Sequence, residues 1–303
     1  MPLVLDTNVV RNIGAGDVDP SGLRDLAREG VTVHLADGTI AELTHQLLSS
    51  SLTWDHWVRG RTVLLDTISK DEPVLLGGRL GLHRIGITGP RQVLQSEIDA
   101  ELELYEAGWT MLVAANRAED FENMSIRLPK QGISVSLPRA HVQATHAEQQ
   151  DTWPSDFASF HEKIMKVRPD LPDFLPAKGD SPEALEGYLN IIKPAVDANH
   201  QPPGPRPSTR LDAFFRVEAL LELRHFRKEQ PYNPQKNRND LFDHELLKYL
   251  AVPAAICTGD SGLIAKVRDS RSWQVDWIVR PEDLARSEVR ARIKRLVWPE
   301  EAA

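Results

Sequence analysis

The sequence predicts an α/β protein with a parallel sheet, interrupted by a mostly helical segment. Three observations carry this. Both ends of the chain alternate short apolar runs with helix-forming stretches, as strand–helix–strand units do. The runs are continuously apolar, the mark of strands buried on both faces. From about 53 to 207 strand signals fade, and apolar residues recur instead at three- and four-residue intervals.

Taken in order, residues 3–6 read as a central strand, with Asp6, Thr7 and Asn8 offering capping groups to a helix from Val9. A turn at 14–20 precedes a short helix from Ser21 to Glu29. Residues 31–36 form the second strand, Asp37-Gly38-Thr39 break it, and Ile40 to Leu48 begin another helix. Trp54 to Ile68 has helical spacing, and Gly77, Gly78 and Gly81 read as a flexible link. Gln92 to Asn123 reads as one long amphipathic helix, followed by helices at 139–150, 155–167 and 182–192. Residues 202–207 form the clearest linker. Helices from Ser208 to Glu229 and Asn239 to Leu250, a strand at 254–258, a helix from Gly262 to Asp269, a strand at 273–279 and a helix at 282–297 complete the chain. The expected division is one discontinuous α/β domain, 1–52 with 208–303, and a helical insertion, 53–207.

With 303 residues, 41% of them hydrophobic, the chain can bury an ample core. A single cysteine excludes an internal disulfide and suits a reducing compartment. The apolar run after Met1 ends at Asp6, so no secretory leader or membrane span is expected, and a cytoplasmic location is. A net charge of −8 argues against a general nucleic-acid coat. The charge is uneven: eight acids against Arg117 alone lie between Glu97 and Glu122, and eight bases against five acids between Arg206 and Asp240. The acidic helix is expected to face solvent or a basic partner. Lys236, Arg238, Arg224, Arg227 and Lys228 are candidate phosphate contacts.

The carboxylates carry the chemistry. Asp6 ends the first strand and Asp260 ends a late one, where open α/β sheets bind ligands. Glu42 lies in the helix after the second strand, where Thr39-x-x-Glu42 also fits a capping box. Asp240 and Asp243 sit three residues apart on one helix face. Singly, each has a structural explanation in capping, dipole or turn chemistry. Together they form an acid set of the kind that holds Mg²⁺ or Mn²⁺ through hard oxygen ligands. Zinc spacings, a phosphate-binding P-loop and a dinucleotide fingerprint are absent from the sequence.

Leu3-Val4-Leu5-Asp6-Thr7-Asn8, Thr39-x-x-Glu42-Leu43, Asn239-Asp240-x-x-Asp243-x-x-Leu246-Leu247 and Thr258-x-Asp260-x-x-Leu263 resemble, in that order, the four acidic motifs of the PIN-domain ribonuclease family. The resemblance covers about half of the chain. It implies a three-layer α/β/α sandwich with a mainly parallel sheet. It also implies an endonuclease that hydrolyses phosphodiesters by two-metal-type activation of water with Mg²⁺ or Mn²⁺, most often in RNA. Asp6, Asp243 and Asp260, with Glu42 or Asp240, would hold metal, and Asn8 and Thr258 would orient ligands or touch phosphate. The motifs leave Asp240 and Asp243 as alternatives for the third ligand, with Asp243 preferred. About 200 residues separate the second and third motifs, unlike compact family members. That departure argues against a simple toxin; the expectations are a toxin-like or defence effector, a protein partner bound through the insertion, and a homodimer. The rival readings are a catalytically silent PIN-like module binding RNA or protein, and a structure-specific DNA nuclease.

Overall fold

The computed structural model of the chain describes residues 2–84, 93–167, 169–170, 181–198, 205–227 and 229–297. The chain divides into two compact units. The first comprises Met1–His146, Tyr249–Asp260 and Trp277–Val297; the second holds Ala147–Lys248 and Ser261–Asp276.

The strands are β1 (Pro2–Leu5), β2 (Thr32–Ala36), β3 (Val74–Leu75), β4 (Ile126–Leu128), β5 (Ile133–Val135), β6 (Ala255–Cys257) and β7 (Ile278–Val279). All belong to the first unit. Five of them form a parallel sheet in the order β3-β2-β1-β6-β7, so the chain is α/β as predicted. Its middle strand is β1, whose Leu3, Val4 and Leu5 have no solvent exposure; a central strand buried on both faces needs such a run. β1 pairs with β2 on one side, Leu5 opposite Leu35, and with β6 on the other, Leu5 opposite Cys257. The residues following all three strands therefore emerge at one end of the sheet.

The first unit also holds α1 (Thr7–Ala15), α2 (Ser21–Arg28), α3 (Asp37–Leu48), α4 (Trp54–Thr67), α5 (Arg79–Arg84), α6 (Gln95–Ala114) and α7 (Ala118–Glu122). Helix α8 (Arg139–Val167) follows. The second unit contains α9 (Pro182–Asp197), α10 (Pro207–Arg210), α11 (Asp212–His225), α12 (Asp240–Leu247) and α13 (Ser261–Asp269); α14 (Ser287–Ile293) returns to the first. In the second unit Ile164, Leu185, Tyr188, Leu189, Ile192, Ala219 and Leu223 form a core. Among the described residues no helix is long and apolar enough to cross a membrane.

Several expectations are corrected. The sheet extends beyond residue 53 through β3, and β4 and β5 form an antiparallel hairpin; strands of two or three residues are too short to show a period. The segment containing Gly77 and Gly81 is packed: a Cβ at Gly77 would fall 2.4 Å from the Tyr249 ring, and one at Gly81 1.8 Å from the Leu76 carbonyl oxygen. The long helix starts at Gln95 and ends at Ala114, before the separate α7. The two helices expected at 139–150 and 155–167 are one, with Pro154 inside it. Of the expected last strand only Ile278 and Val279 pair; Trp273–Trp277 is a 3-10 turn. Of the linker at 202–207, the first half lies outside the described residues, and Pro207 already begins α10.

Candidate active site

The first strand delivers Asp6 to the end of the sheet with extended dihedrals, φ −79° and ψ 156°, and α1 begins at the next residue. Asp6 occupies the N-cap position yet makes no side-chain cap hydrogen bond. Its carboxylate turns to the neighbouring strand instead. Oδ2 accepts from the Thr258 hydroxyl at 2.6 Å and from Asn8 Nδ2. Capping, the structural explanation open to Asp6 from sequence, is therefore not what this side chain does.

Thr258, wholly buried just past β6, is the hub. Its Oγ1 donates to Asp6 and accepts from Asn8 Nδ2 at 3.1 Å and from the Asp260 backbone N–H at 3.0 Å. The other end of the Asn8 amide, Oδ1, accepts from the Gly259 N–H at 2.7 Å. A Cβ at Gly259 would sit 3.2 Å from that same oxygen, a tight contact that would push on the Asn8 amide by a few tenths of an ångström. Asp6, Asn8, Thr258 and Asp260, drawn from opposite ends of the chain, thus form one hydrogen-bonded cluster at adjacent strand ends. Cys257 beneath it is free and buried; burial and then the Asp6 charge raise its thiol well above the usual range, which makes it a packing residue.

Glu42 lies in the second turn of α3. The capping box is corrected: α3 begins at Asp37, so Thr39 is already helical, and its hydroxyl donates to the Leu5 carbonyl at 3.1 Å. That bond ties α3 to the end of β1. Glu42 Oε1 accepts from Gln46 Nε2 at 2.8 Å, one turn on. The residue missed from sequence is Asp37. Read only as a strand breaker, it follows β2 at the same sheet end, and its carboxylate accepts from the Tyr249 hydroxyl and from the backbone N–H groups of Gly38 (2.7 Å) and Gly77 (3.2 Å). Burial, and then the Asp37 charge, push the Glu101 carboxyl of α6 up to about 7, so this member of the acidic helix is not simply solvated. Elsewhere in the unit Trp57 is buried, its Nε1 donating to the Leu112 carbonyl at 2.9 Å, and Glu103 of the acidic helix α6 accepts from the Lys130 N–H.

In the second unit Asp240 and Asp243 occupy the first turn of α12. Lys266 of α13 donates through Nζ to Asp240 Oδ1 at 2.8 Å and to Asp243 Oδ2 at 2.9 Å. The three side chains are 16%, 14% and 24% exposed, respectively. Burial works against the ammonium, but Asp243 and then Asp240 outweigh it, and Lys266 titrates above the usual lysine range. Asp240 Oδ2 also accepts from the Tyr232 hydroxyl at 3.0 Å, which accepts in turn from Trp153 Nε1 at 3.0 Å. Lys266 was missed; its place between the buried Ile264 and Val267 of an amphipathic helix was the available signal.

The candidate phosphate contacts divide. Lys236 is exposed; Arg238 is exposed but engaged by Asp151 and Gln235; Arg227 is half-buried. Arg224 pairs with Asp269 at 2.7 Å, and Lys228 lies outside the described residues.

Asp6 and Asp260 are hard oxygen donors on adjacent strands. One or two carboxylates, completed by water and phosphate, are what Mg²⁺ or Mn²⁺ takes, so the chemistry of this donor set fits such an ion. Among the described residues no group of three or more His, Cys, Asp or Glu side chains is arranged to hold a metal ion. Compared with protein-family models, with curated proteins and with solved structures, the chain matches none of them.

Proposed function

We propose that the chain is a PIN-like endoribonuclease dependent on Mg²⁺ or Mn²⁺, built as a three-layer α/β/α sandwich and working in the cytoplasm. The observation that carries this reading is the cluster of Asp6, Asn8, Thr258 and Asp260 at the carboxyl ends of β1 and β6. The Asp6 side chain caps no helix, and its Oδ2 is aligned by two side chains.

Asp6 and Asp260 would be the metal-holding residues of the first unit, with Glu42 as the third acid of that unit. The chemistry these residues would gain from a bound divalent ion is neutralisation of phosphate charge and a lowered pKa for water at that place. The chain's own contribution is orientation. Thr258 and Asn8 fix the Asp6 carboxylate through Oδ2, and Thr258 also holds the backbone at Asp260, so the Asp6 carboxylate and the chain that carries Asp260 are set before any ligand arrives. Preset oxygens cost no reorganisation at the moment of reaction. Lys236, which is exposed, would be a phosphate contact of the second unit.

The test is incubation of labelled single-stranded RNA and DNA with Mn²⁺, Mg²⁺ or EDTA, beside the Asp6→Asn/Asp260→Asn variant. RNA cleavage that needs metal and disappears in the variant is expected. Cleavage that persists in the variant refutes the site, and cleavage of DNA alone would make the chain a DNA nuclease. The second reading, a silent PIN-like module that binds RNA or protein, is favoured by the closure of Asp240 and Asp243 onto Lys266. Binding without cleavage under every metal would establish it.

A further inference from the structure

We propose that Lys266 is a built-in cation that takes the place of a second metal ion between Asp240 and Asp243, so that these two acids are not metal ligands in this chain. The inference rests on the nuclease reading above for its meaning, but its geometry lies wholly within the second unit.

The argument begins with spacing. Two aspartates three residues apart share a helix face and point their carboxylates to one side. Left bare and three-quarters or more buried, they would repel each other and suffer from lost hydration. Either one of them takes up a proton or a cation sits between them. Lys266 supplies it from the partly buried flank of α13, placing one ammonium 2.8 Å and 2.9 Å from an oxygen of each. A lysine so little exposed is itself costly unless paired, so the three charges form a mutually dependent unit.

The surroundings hold the carboxylates to this arrangement. Asp240 is held from its far side by Tyr232, whose hydroxyl is held in turn by Trp153. Asp240 thus has one oxygen on the lysine and the other on a phenol. A metal ion held by the two oxygens that now face the ammonium, Asp240 Oδ1 and Asp243 Oδ2, would have to displace it. The cation is therefore covalently part of the chain, always present, and unaffected by chelators. The sequence motif that resembles a metal-ligating pair would then keep its acids and its charge balance with one exchangeable ion fewer.

The experiment is Mn²⁺ binding stoichiometry, read by calorimetry and by the electron paramagnetic resonance signal of free Mn²⁺, on the full chain. The Asp240→Asn/Asp243→Asn variant, with Lys266 intact, is expected to bind as many Mn²⁺ ions as the wild type. The Lys266→Met variant is expected to bind one more ion per chain than the wild type, and to lose it when Asp240 and Asp243 are also changed to Asn. Lys266→Arg, which keeps the charge, should bind as the wild type does. Loss of an ion from the Asp240→Asn/Asp243→Asn variant overturns the proposal, as does a folded Lys266→Met variant that gains none. Should Lys266→Met fail to fold, the Asp240→Asn/Asp243→Asn comparison decides alone. Failure of the nuclease reading looks different: Mn²⁺ binding by the wild type would then be nil or insensitive to Asp6→Asn/Asp260→Asn, while the gain in Lys266→Met would still be measurable.

Discussion

Asn8 donates through Nδ2 to the Thr258 hydroxyl at 3.1 Å, closing a contact between residues 250 positions apart. The same amide accepts from Gly259 through Oδ1, so both of its ends are committed to the turn after β6. One side chain therefore locks the first and the sixth strand ends together.

Asn8→Ala removes both bonds and leaves the Gly259 N–H without its acceptor. The Gly259 N–H is exposed, so water can replace that acceptor, and the loss should be that of an ordinary hydrogen bond, about 0.5–1.5 kcal/mol. Under the proposed function the carboxylate of Asp6 also loses an orienting donor, and cleavage should fall roughly 10- to 100-fold. Urea unfolding and the RNA assay check the two effects separately. Wild-type cleavage by Asn8→Ala would show that the amide serves the fold alone.

Tyr249→Phe tests the anchor at the end of β2. The phenol lies 2.9 Å from both the Asp37 N–H and the Leu75 carbonyl and meets the Asp37 carboxylate. Without it the half-buried Asp37 carboxylate loses a donor, and destabilisation of about 1–3 kcal/mol is expected in urea melts. An unchanged midpoint would mean that Gly38 and Gly77 satisfy Asp37 unaided.

Gly14→Ala should be among the more damaging small changes in α1. The added Cβ would fall 2.2 Å from the His56 carbonyl oxygen, a backbone atom in α4 that no rotamer change can move. Overpacking costs about 1–3 kcal/mol, and a backbone obstacle puts this one towards the upper end. Gly38→Ala in α3, where nothing lies within 4 Å, is the matched control and should be neutral or stabilising. Thermal unfolding of the pair decides; equal melting temperatures would mean that α1 and α4 separate readily.

Glu222→Gln should change how stability depends on pH. This carboxyl of α11 is fully buried, with Oε2 at 2.9 Å from His161 Nδ1, and burial followed by the Glu218 charge pushes it up to about 8. An unfolded glutamate releases its proton near 4.5, whereas the folded one keeps it, so the folded state binds more protons between those values. Stability must fall as pH rises through that window. Glutamine is neutral throughout, so the variant should gain in urea midpoint over the wild type at pH 8.5 relative to pH 5. A difference equal at both values would mean that Glu222 is ionised in the folded chain across the range.

The sequence by itself determined the parallel α/β class, because fully apolar runs such as Leu3-Val4-Leu5 and Ala254-Ala255-Ile256 have no other good place than a sheet interior. It also determined which acids end strands, since Asp6 and Asp260 follow those runs directly. Most helices were legible through their apolar period. What it could not show were partners distant in the chain. Asp6 looked like a helix cap until Thr258 claimed its carboxylate. Thr39 looked like a capping box until its hydroxyl proved to reach Leu5. Asp37 waited on Tyr249, 212 residues away, and Asp243 on Lys266, 23 residues on. Period and local capping chemistry are written in neighbours along the chain, whereas the partner of a polar side chain is chosen by packing. Only the tertiary structure decided which carboxylates are held ready at the sheet end and which already carry a cation.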